Sequence, residues 1–401
     1  MRHAGLLALL AGGALAASSV ATAAAPVLPP EPPPSSAGYQ PRDELERGLW
    51  FEMDEQERLL RESKLVVTEA ALNAYVRQVL CRAVGQERCR AARLYIVRTP
   101  YSNASMAPNG VMLVYTGLLL RMRDEAQLAA VLAHEFTHFE QRHTLRLFKD
   151  MRARSDALSW LSFVPVPYLG MVSQVALIGG LYAFSRDMER QADSGSIAEL
   201  AGAGYDPRAA SAIWRQLGAE LDATARARGH SSQKDRNGGM VATHPKTTER
   251  MQALAGEAAA LAQVSPGVTR PGEYRAAIGP WWARLIDDQI SLQDFGGSEY
   301  LFGTLAAESG WTADLLYARA ELYRSRGKAG DFAEAARLYR QAIAEGGRSG
   351  QAALPEAWRG LGLAQLRLGQ AAQGKAALCA YLARKPDAPD APMLAEMARG
   401  A

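Results

Sequence analysis

Between residues 124 and 148, Leu128, Val131, Leu132, Phe136 and Phe139 return at helical spacing. Asp124 and Glu125 at the front suit the positive end of a helix dipole, so the pattern predicts one continuous helix. FSRDMERQADSGS, residues 184–196, predicts a second. Two short β-rich runs, ARLYIVRT at 92–99 and VMLVYTG at 111–117, flank a turn-prone APNG and predict an antiparallel pair beside the first helix. From about residue 270 onward helical periodicity dominates. DLLYARAELYRSRG precedes GDFAEAARLYRQAIAEGG at 330–347, and PEAWRGLGLAQLRLG precedes GQAAQGKAALCAYLARKPD at 369–387.

Two apolar stretches stand apart. Arg2 and His3 precede AGLLALLAGGALAASSV and ATAAA, a basic start, an apolar centre and small-residue cleavage points after Ala23 or Ala25, which reads as a cleaved secretory signal peptide over residues 1–25. Residues 26–41 are proline-dense and read as an extended tether outside the fold. Residues 157–185 carry no charge and are long enough to span a bilayer. Pro165, Pro167 and the Gly179-Gly180 pair argue instead for a folded hairpin over the site, able to touch lipid peripherally or gate access.

Composition narrows the function. The 401 residues are 48% apolar and 22% charged, with a formal charge of +3, and are long enough for two or three domains with real cores. With no dense Lys/Arg block, nucleic acid is not an expected partner. Cys81 and Cys89 flank RAVGQER, which can turn, so in an oxidising compartment they can form a small-loop disulfide. Cys379 lies on a helical pattern and is expected in the core.

The chemistry concentrates in HEFTH. On a helix, His134 and His138 project from one face and can share one ion. Glu135, beside them, can take a proton from a water that the metal activates. His143, nine residues beyond His134, falls on the opposite side of a continuous helix and is expected to be structural; Glu140 is expected to be solvated. Glu189 can complete a His₂Glu zinc site, with the fourth position left for water. Asp193, four residues on, can accept the N–H of a ligand histidine and fix its tautomer. The competing reading is an acidic helix face neutralised by Arg186 and Arg190.

HEFTH followed by SRDMERQAD resembles the M48 family of zinc metallopeptidases, whose pattern is H-E-x-x-H and then E-x-x-A-D. SNASMAPNGVMLVYTGLL (102–119), AGYDPRAA (203–210) and THPKTTER (243–250) resemble three further family segments in the same order. The resemblance implies an α+β fold: a mostly helical gluzincin-type metallopeptidase domain, residues 42–265, with a small antiparallel sheet and one Zn²⁺ per subunit. It implies a substrate lying along a sheet edge near Asn103 and Ala104, where this chain has Ser105 in place of a bulky apolar residue. It also gives His244 a role, either as donor to the oxyanion or as occupant of the open zinc position in a resting state, and leaves Arg250 either assisting substrate or oxyanion binding or pairing with an acid. The helices of residues 270–401 resemble degenerate tetratricopeptide repeats: Ala335, Tyr339 and Ala342 in one unit, Gly374, Leu378, Tyr381 and Pro386 in the next. Trp281 and Trp282 lie in a further helical stretch.

A signal peptide, such a peptidase domain and such repeats together resemble the periplasmic M48 proteases of Gram-negative bacteria that act in outer-membrane protein assembly and quality control. The expectation is a periplasmic endopeptidase of polypeptides, membrane-associated at most through residues 157–185, whose repeats contact the outer-membrane assembly machinery. Two alternatives stand beside it: a chaperone or scaffold whose metal site is closed by His244 as a fourth ligand, and a membrane-integrated peptidase.

Overall fold

The computed structural model of the chain describes residues 32–154, 184–231, 244, 248–349 and 354–399. The apolar leader, most of the proline-rich stretch and nearly all of the uncharged run 157–185 lie outside the described residues. Among the described residues no helix is long and apolar enough to cross a membrane.

Helices α1 (Glu44–Arg61) and α2 (Ala70–Val84) lead into a three-stranded sheet of β1 (Arg93–Val97), β2 (Ala104–Met106) and β3 (Val111–Tyr115), ordered β1-β3-β2. β3 is buried along its whole length. The expected antiparallel pairing of the two long runs is not what forms. β1 runs parallel to β3, with Arg93 opposite Val111, and the antiparallel partner is the three-residue β2, with Ala104 opposite Val114. The reason is local. The Ala107–Gly110 turn folds back whatever immediately precedes it, and that is β2; Gly110 closes the turn at φ 91°, where a Cβ would lie 2.3 Å from the Ala91 carbonyl oxygen.

Helix α3 (Thr116–Leu119) is followed by α4 (Glu125–Glu140), the axis of the fold, whose residues from Glu125 to Phe139 are all buried. Asp124 caps it by accepting the Gln127 N–H at 2.8 Å. The continuous helix expected to residue 148 is broken: α4 ends at Glu140, Arg142 turns through φ 53°, and α5 (His143–Arg154) starts in a new direction. A positive φ at a non-glycine residue has no signature in periodicity, so the break is invisible in the pattern.

Helix α6 (Arg186–Gly202) begins at Ser185, whose hydroxyl accepts the Met188 N–H. It packs on α4 at a crossing where Gly195 faces Thr137 so closely that a Cβ would lie 2.6 Å from the threonine side chain. Helices α7 (Arg208–Ala227) and α8 (Thr248–Val264) complete this part.

The remaining helices are α9 (Pro271–Ile278), α10 (Trp282–Ser291), α11 (Phe295–Ser309), α12 (Ala313–Arg326), α13 (Asp331–Ser349), α14 (Glu356–Arg367), α15 (Ala371–Arg384) and α16 (Ala391–Arg399). α12 packs on α13, α13 on α14, and α14 on α15. Gly360 sits against the Tyr339 ring and Gly362 against Leu378, close approaches that only a missing Cβ allows. One contiguous apolar cluster runs from Val67 through Phe136 and Trp214 to Tyr339 and Ala377. A buried polar knot crosses it: Arg121 donates to Glu220 and to Gln289, and Gln289 donates to Ser298.

Three other expectations change. Residues 26–41 are not wholly outside the fold: Pro34 and Ser35 are buried, Ser35 donates to Glu140, and Tyr39 donates to Glu46. Glu140 is consequently not solvated; it also pairs with Arg88 at 3.0 Å. Cys379 is exposed rather than core. Cys81 and Cys89 are joined as a disulfide, with Cα atoms 5.0 Å apart.

Candidate metal centre

Helix α4 presents His134 and His138 one turn apart, and their Nε2 atoms lie 3.1 Å from each other. From the first turn of α6, Glu189 comes to 3.7 Å of His134 Nε2 and 3.8 Å of His138 Nε2. His244 Nδ1 lies 3.3 Å from His134 Nε2 and 2.9 Å from Glu189. One donor atom from each of these four buried residues falls within 4.8 Å of every other.

The donor set can be tested against an ion. Bonds of about 2.0–2.1 Å to the corners of a tetrahedron place the donors roughly 3.3–3.4 Å apart. The closer contacts, 2.9 to 3.8 Å, bracket that spacing, and the most widely separated pair is within 4.8 Å. Two facing Nε2 atoms at 3.1 Å, out of reach of water, are better satisfied by a shared cation than by each other. Three imidazole nitrogens and one carboxylate oxygen are the donors that Zn²⁺ takes.

The surroundings hold these side chains from several directions. Asp193 Oδ1 lies 3.3 Å from His134 Nδ1, although off the line of a good hydrogen bond. Arg250 clamps Asp193 with contacts of 2.7 and 2.8 Å and reaches Glu189 at 2.8 Å. Burial alone would raise the Asp193 carboxyl, but Arg250 and His134 hold it down to about 2. Glu189 is lowered in the same way: burial opposes ionisation, and His244, His134 and Arg250 outweigh it. Trp214 of α7 sets its ring edge-on to His134, 5.3 Å between centroids, and lies 4.9 Å beneath the Arg250 guanidinium. Phe184 stacks on His138 at 3.9 Å.

Glu135 is buried, and its Oε1 lies 3.3 Å from His244 Nε2. Burial disfavours a charged His244, yet the carboxylates of Glu135 and Glu189 override it and hold the imidazole up to about 10. Asn103 and Ala104 are also buried. Ala104 is on the edge strand β2, and the Asn103 carbonyl accepts the Tyr115 N–H at 3.0 Å. They sit beside α4 and not among the donors.

The motifs did not point to three neighbours of this centre. Trp214 and Phe184 carry no motif and read as ordinary core aromatics. His143 was assigned to the far side of a continuous helix; with the break at Arg142 it is fully buried and its Nδ1 lies 2.8 Å from His138 Nδ1.

Residues 68–258 match the model of peptidase family M48. The chain is 31% identical to mitochondrial metalloendopeptidase OMA1 of Schizosaccharomyces pombe, over 45% of this chain and 51% of that one. It is 32% identical to mitochondrial metalloendopeptidase OMA1 of Arabidopsis thaliana, over 40% of this chain and 30% of the other. It is 28% identical to the beta-barrel assembly-enhancing protease of Escherichia coli, over 38% of this chain and 34% of that protein. The chain thus spans about a third to a half of the length of these relatives. Residues 68–258, which hold H-E-x-x-H on α4 and the carboxylate on α6, are thus a peptidase family M48 domain within this chain.

Proposed function

We propose that this protein is a zinc-dependent endopeptidase acting on polypeptides. The observation that carries the reading is the convergence of His134, His138 and Glu189 from two helices, with Glu135 buried beside them. Zn²⁺ held by those three residues would supply Lewis acidity, acidifying a water and polarising a peptide carbonyl. Glu135 would take the proton of the attacking water and deliver it to the leaving amine. Arg250 and Asp193 keep the carboxylate of Glu189 and the ring of His134 in place. A charged His244 would donate to the oxyanion. An extended substrate would add to the β2 edge, at Asn103 and Ala104.

The leader and the relationship to a beta-barrel assembly-enhancing protease support a periplasmic protein working in outer-membrane protein assembly and quality control. The stacked pairs α12–α13 and α14–α15 would serve as tetratricopeptide-like units that contact partners.

A second reading is favoured by the donor count. With His244 Nδ1 among the donors, the set is closed at four, and a closed site is latent or structural. Casein digestion with and without chelator, run on wild type, Glu135→Gln and His244→Ala, separates the readings. For the peptidase, Glu135→Gln retains about one zinc per chain and loses about 10²–10⁴-fold in rate. His244→Ala loses activity if the imidazole is an oxyanion donor and gains it if the imidazole blocks the site. Wild-type zinc protein that cleaves nothing, with His244→Ala equally inert, overturns the peptidase reading.

A further inference from the structure

The H-E-x-x-H and E-x-x-A-D motifs supply a partner for His134, namely Asp193, but none for the outer nitrogen of His138. The structure fills that gap with a residue outside both motifs. His143 Nδ1 lies 2.8 Å from His138 Nδ1, both rings buried, and His143 Nε2 lies 2.9 Å from Gln191 Oε1 on α6. Of the two ligand histidines, His138 therefore has the better-formed contact at its outer nitrogen.

The direction of every proton in this chain follows from valence. Arg146 also reaches the Gln191 atom, at 3.4 Å, and a guanidinium only donates, so that atom is the amide oxygen. An amide oxygen only accepts, so His143 carries a proton on Nε2. A neutral imidazole has one N–H, which leaves His143 Nδ1 as a lone pair. The facing His138 Nδ1 must then be the donor, and its Nε2 is left as a lone pair aimed at Glu189 and His134. The ring is fixed in the tautomer that ligates a cation through Nε2. Phe184, stacked on the flat face of His138, stops the ring from turning away. The Arg142 break makes this possible, because it brings a residue five positions beyond His138 back onto the ring.

We propose that His143, oriented by Gln191, is a positioning residue that sets the tautomer of His138 and so tunes the affinity of the metal centre. The inference rests on the metal-site reading above but not on peptide hydrolysis.

The test measures metal affinity. Zn²⁺ is competed between the purified protein and a chromogenic chelator, and the absorption of the Co²⁺-substituted protein is recorded, for wild type, His143→Ala, His143→Gln, His143→Leu and Gln191→Leu. His143→Ala is expected to weaken Zn²⁺ binding by about 10–100-fold and to alter the Co²⁺ spectrum. His143→Gln is the decisive variant. Its amide oxygen can accept from His138 and its NH₂ can donate to Gln191, so affinity should return to within about threefold of wild type. Glutamine also restores volume, so His143→Leu, of similar size but with no acceptor, is the control: a merely space-filling role would let it recover affinity as glutamine does, whereas the relay leaves it as weak as His143→Ala. Gln191 is at the surface, so Gln191→Leu tests the far end of the relay without threatening the fold; it should weaken binding by less than His143→Ala does. Wild-type affinity in His143→Ala, or a glutamine variant as weak as the alanine one, overturns the proposal. Should His143→Ala fail to fold, the glutamine and Gln191→Leu arms decide it: near-wild-type affinity in the first with a loss in the second supports the relay, and any other pair of results refutes it. Wild-type protein that binds no Zn²⁺ defeats the underlying site reading; protein that binds Zn²⁺ without cleaving casein defeats only the peptidase.

Discussion

Glu220→Ala should destabilise this protein far more than its size suggests, and restoring apolar contact on both sides should recover most of the loss. Arg121 and Glu220 are 6% and 8% exposed, in bidentate contact, with Glu220 oxygens 2.9 and 3.1 Å from the arginine Nε. The guanidinium also donates to Gly117 O at 2.7 Å and to Gln289 at 2.9 Å. Removing the carboxylate leaves a buried cation with two neutral acceptors. Breaking a buried pair from one side costs about 3–5 kcal/mol. Yet the pair itself is poorly solvated. Burial raises the Glu220 carboxyl above the ordinary carboxylate range, and Arg121 does not bring it back. Replacing both members with apolar residues of similar volume should then cost little, on the order of 1 kcal/mol or less. The assay is equilibrium urea unfolding of wild type, Glu220→Ala, Arg121→Met and the double variant Arg121→Met/Glu220→Leu. The expected pattern is two strongly destabilised single variants and a double variant close to wild type. A Glu220→Ala variant within about 1 kcal/mol of wild type, or a double variant no better than the worse single, refutes the reasoning.

Three further predictions are simpler. Asp124 caps α4, but burial pushes its carboxyl up from 3.8 to about 6, so its ionisation costs stability as pH rises from 3.8 toward 6. Asp124→Ala should lose about 1 kcal/mol of capping, whereas Asp124→Asn keeps the cap and should gain on wild type as pH rises from 3.8 to about 6 and level off above, read from unfolding midpoints across pH. Burial opposes ionisation of Glu57, but Arg93, Arg61 and Tyr95 together hold its carboxyl down to about 2. That contribution is present above the ordinary value of 4.5 and is lost as pH falls toward 2, so the stability gap between wild type and Glu57→Gln should close over that interval. Thiol titration of the native, unreduced protein should give one reactive group, the exposed Cys379, because Cys81 and Cys89 are joined; reduction under denaturing conditions should give all three.

What could be read in advance follows a physical division. The helix carrying His134 and His138 was legible because its cap, its apolar spacing and its ligand spacing are all local and agree with one another. Glu189 was legible only through the pairing of two motifs, since nothing near it in the chain distinguishes a ligand from a solvated acid. The sheet was misread because a three-residue strand is too short to show alternation, so the turn was assigned to the wrong partner. His143 was misplaced by one backbone angle, at Arg142, which shifted the side-chain directions beyond it, and Glu140 by contacts from distant Ser35 and Arg88 that periodicity does not carry. Trp214 and Phe184 could not be found at all: an aromatic on an apolar face looks the same whether it packs on leucine or on a ligand imidazole.

The contact between Gly195 and Thr137 has a consequence for assembly. Two helices pressed together with no room for a methyl group fix how far apart the backbones carrying Glu189 and the histidine pair stand. The spacing of the donors is then a property of the polypeptide before any cation arrives. Small zinc-organised folds collapse when stripped because the ion is their keystone; here an ion would be a guest in a room already built, and protein kept free of metal should keep its walls standing.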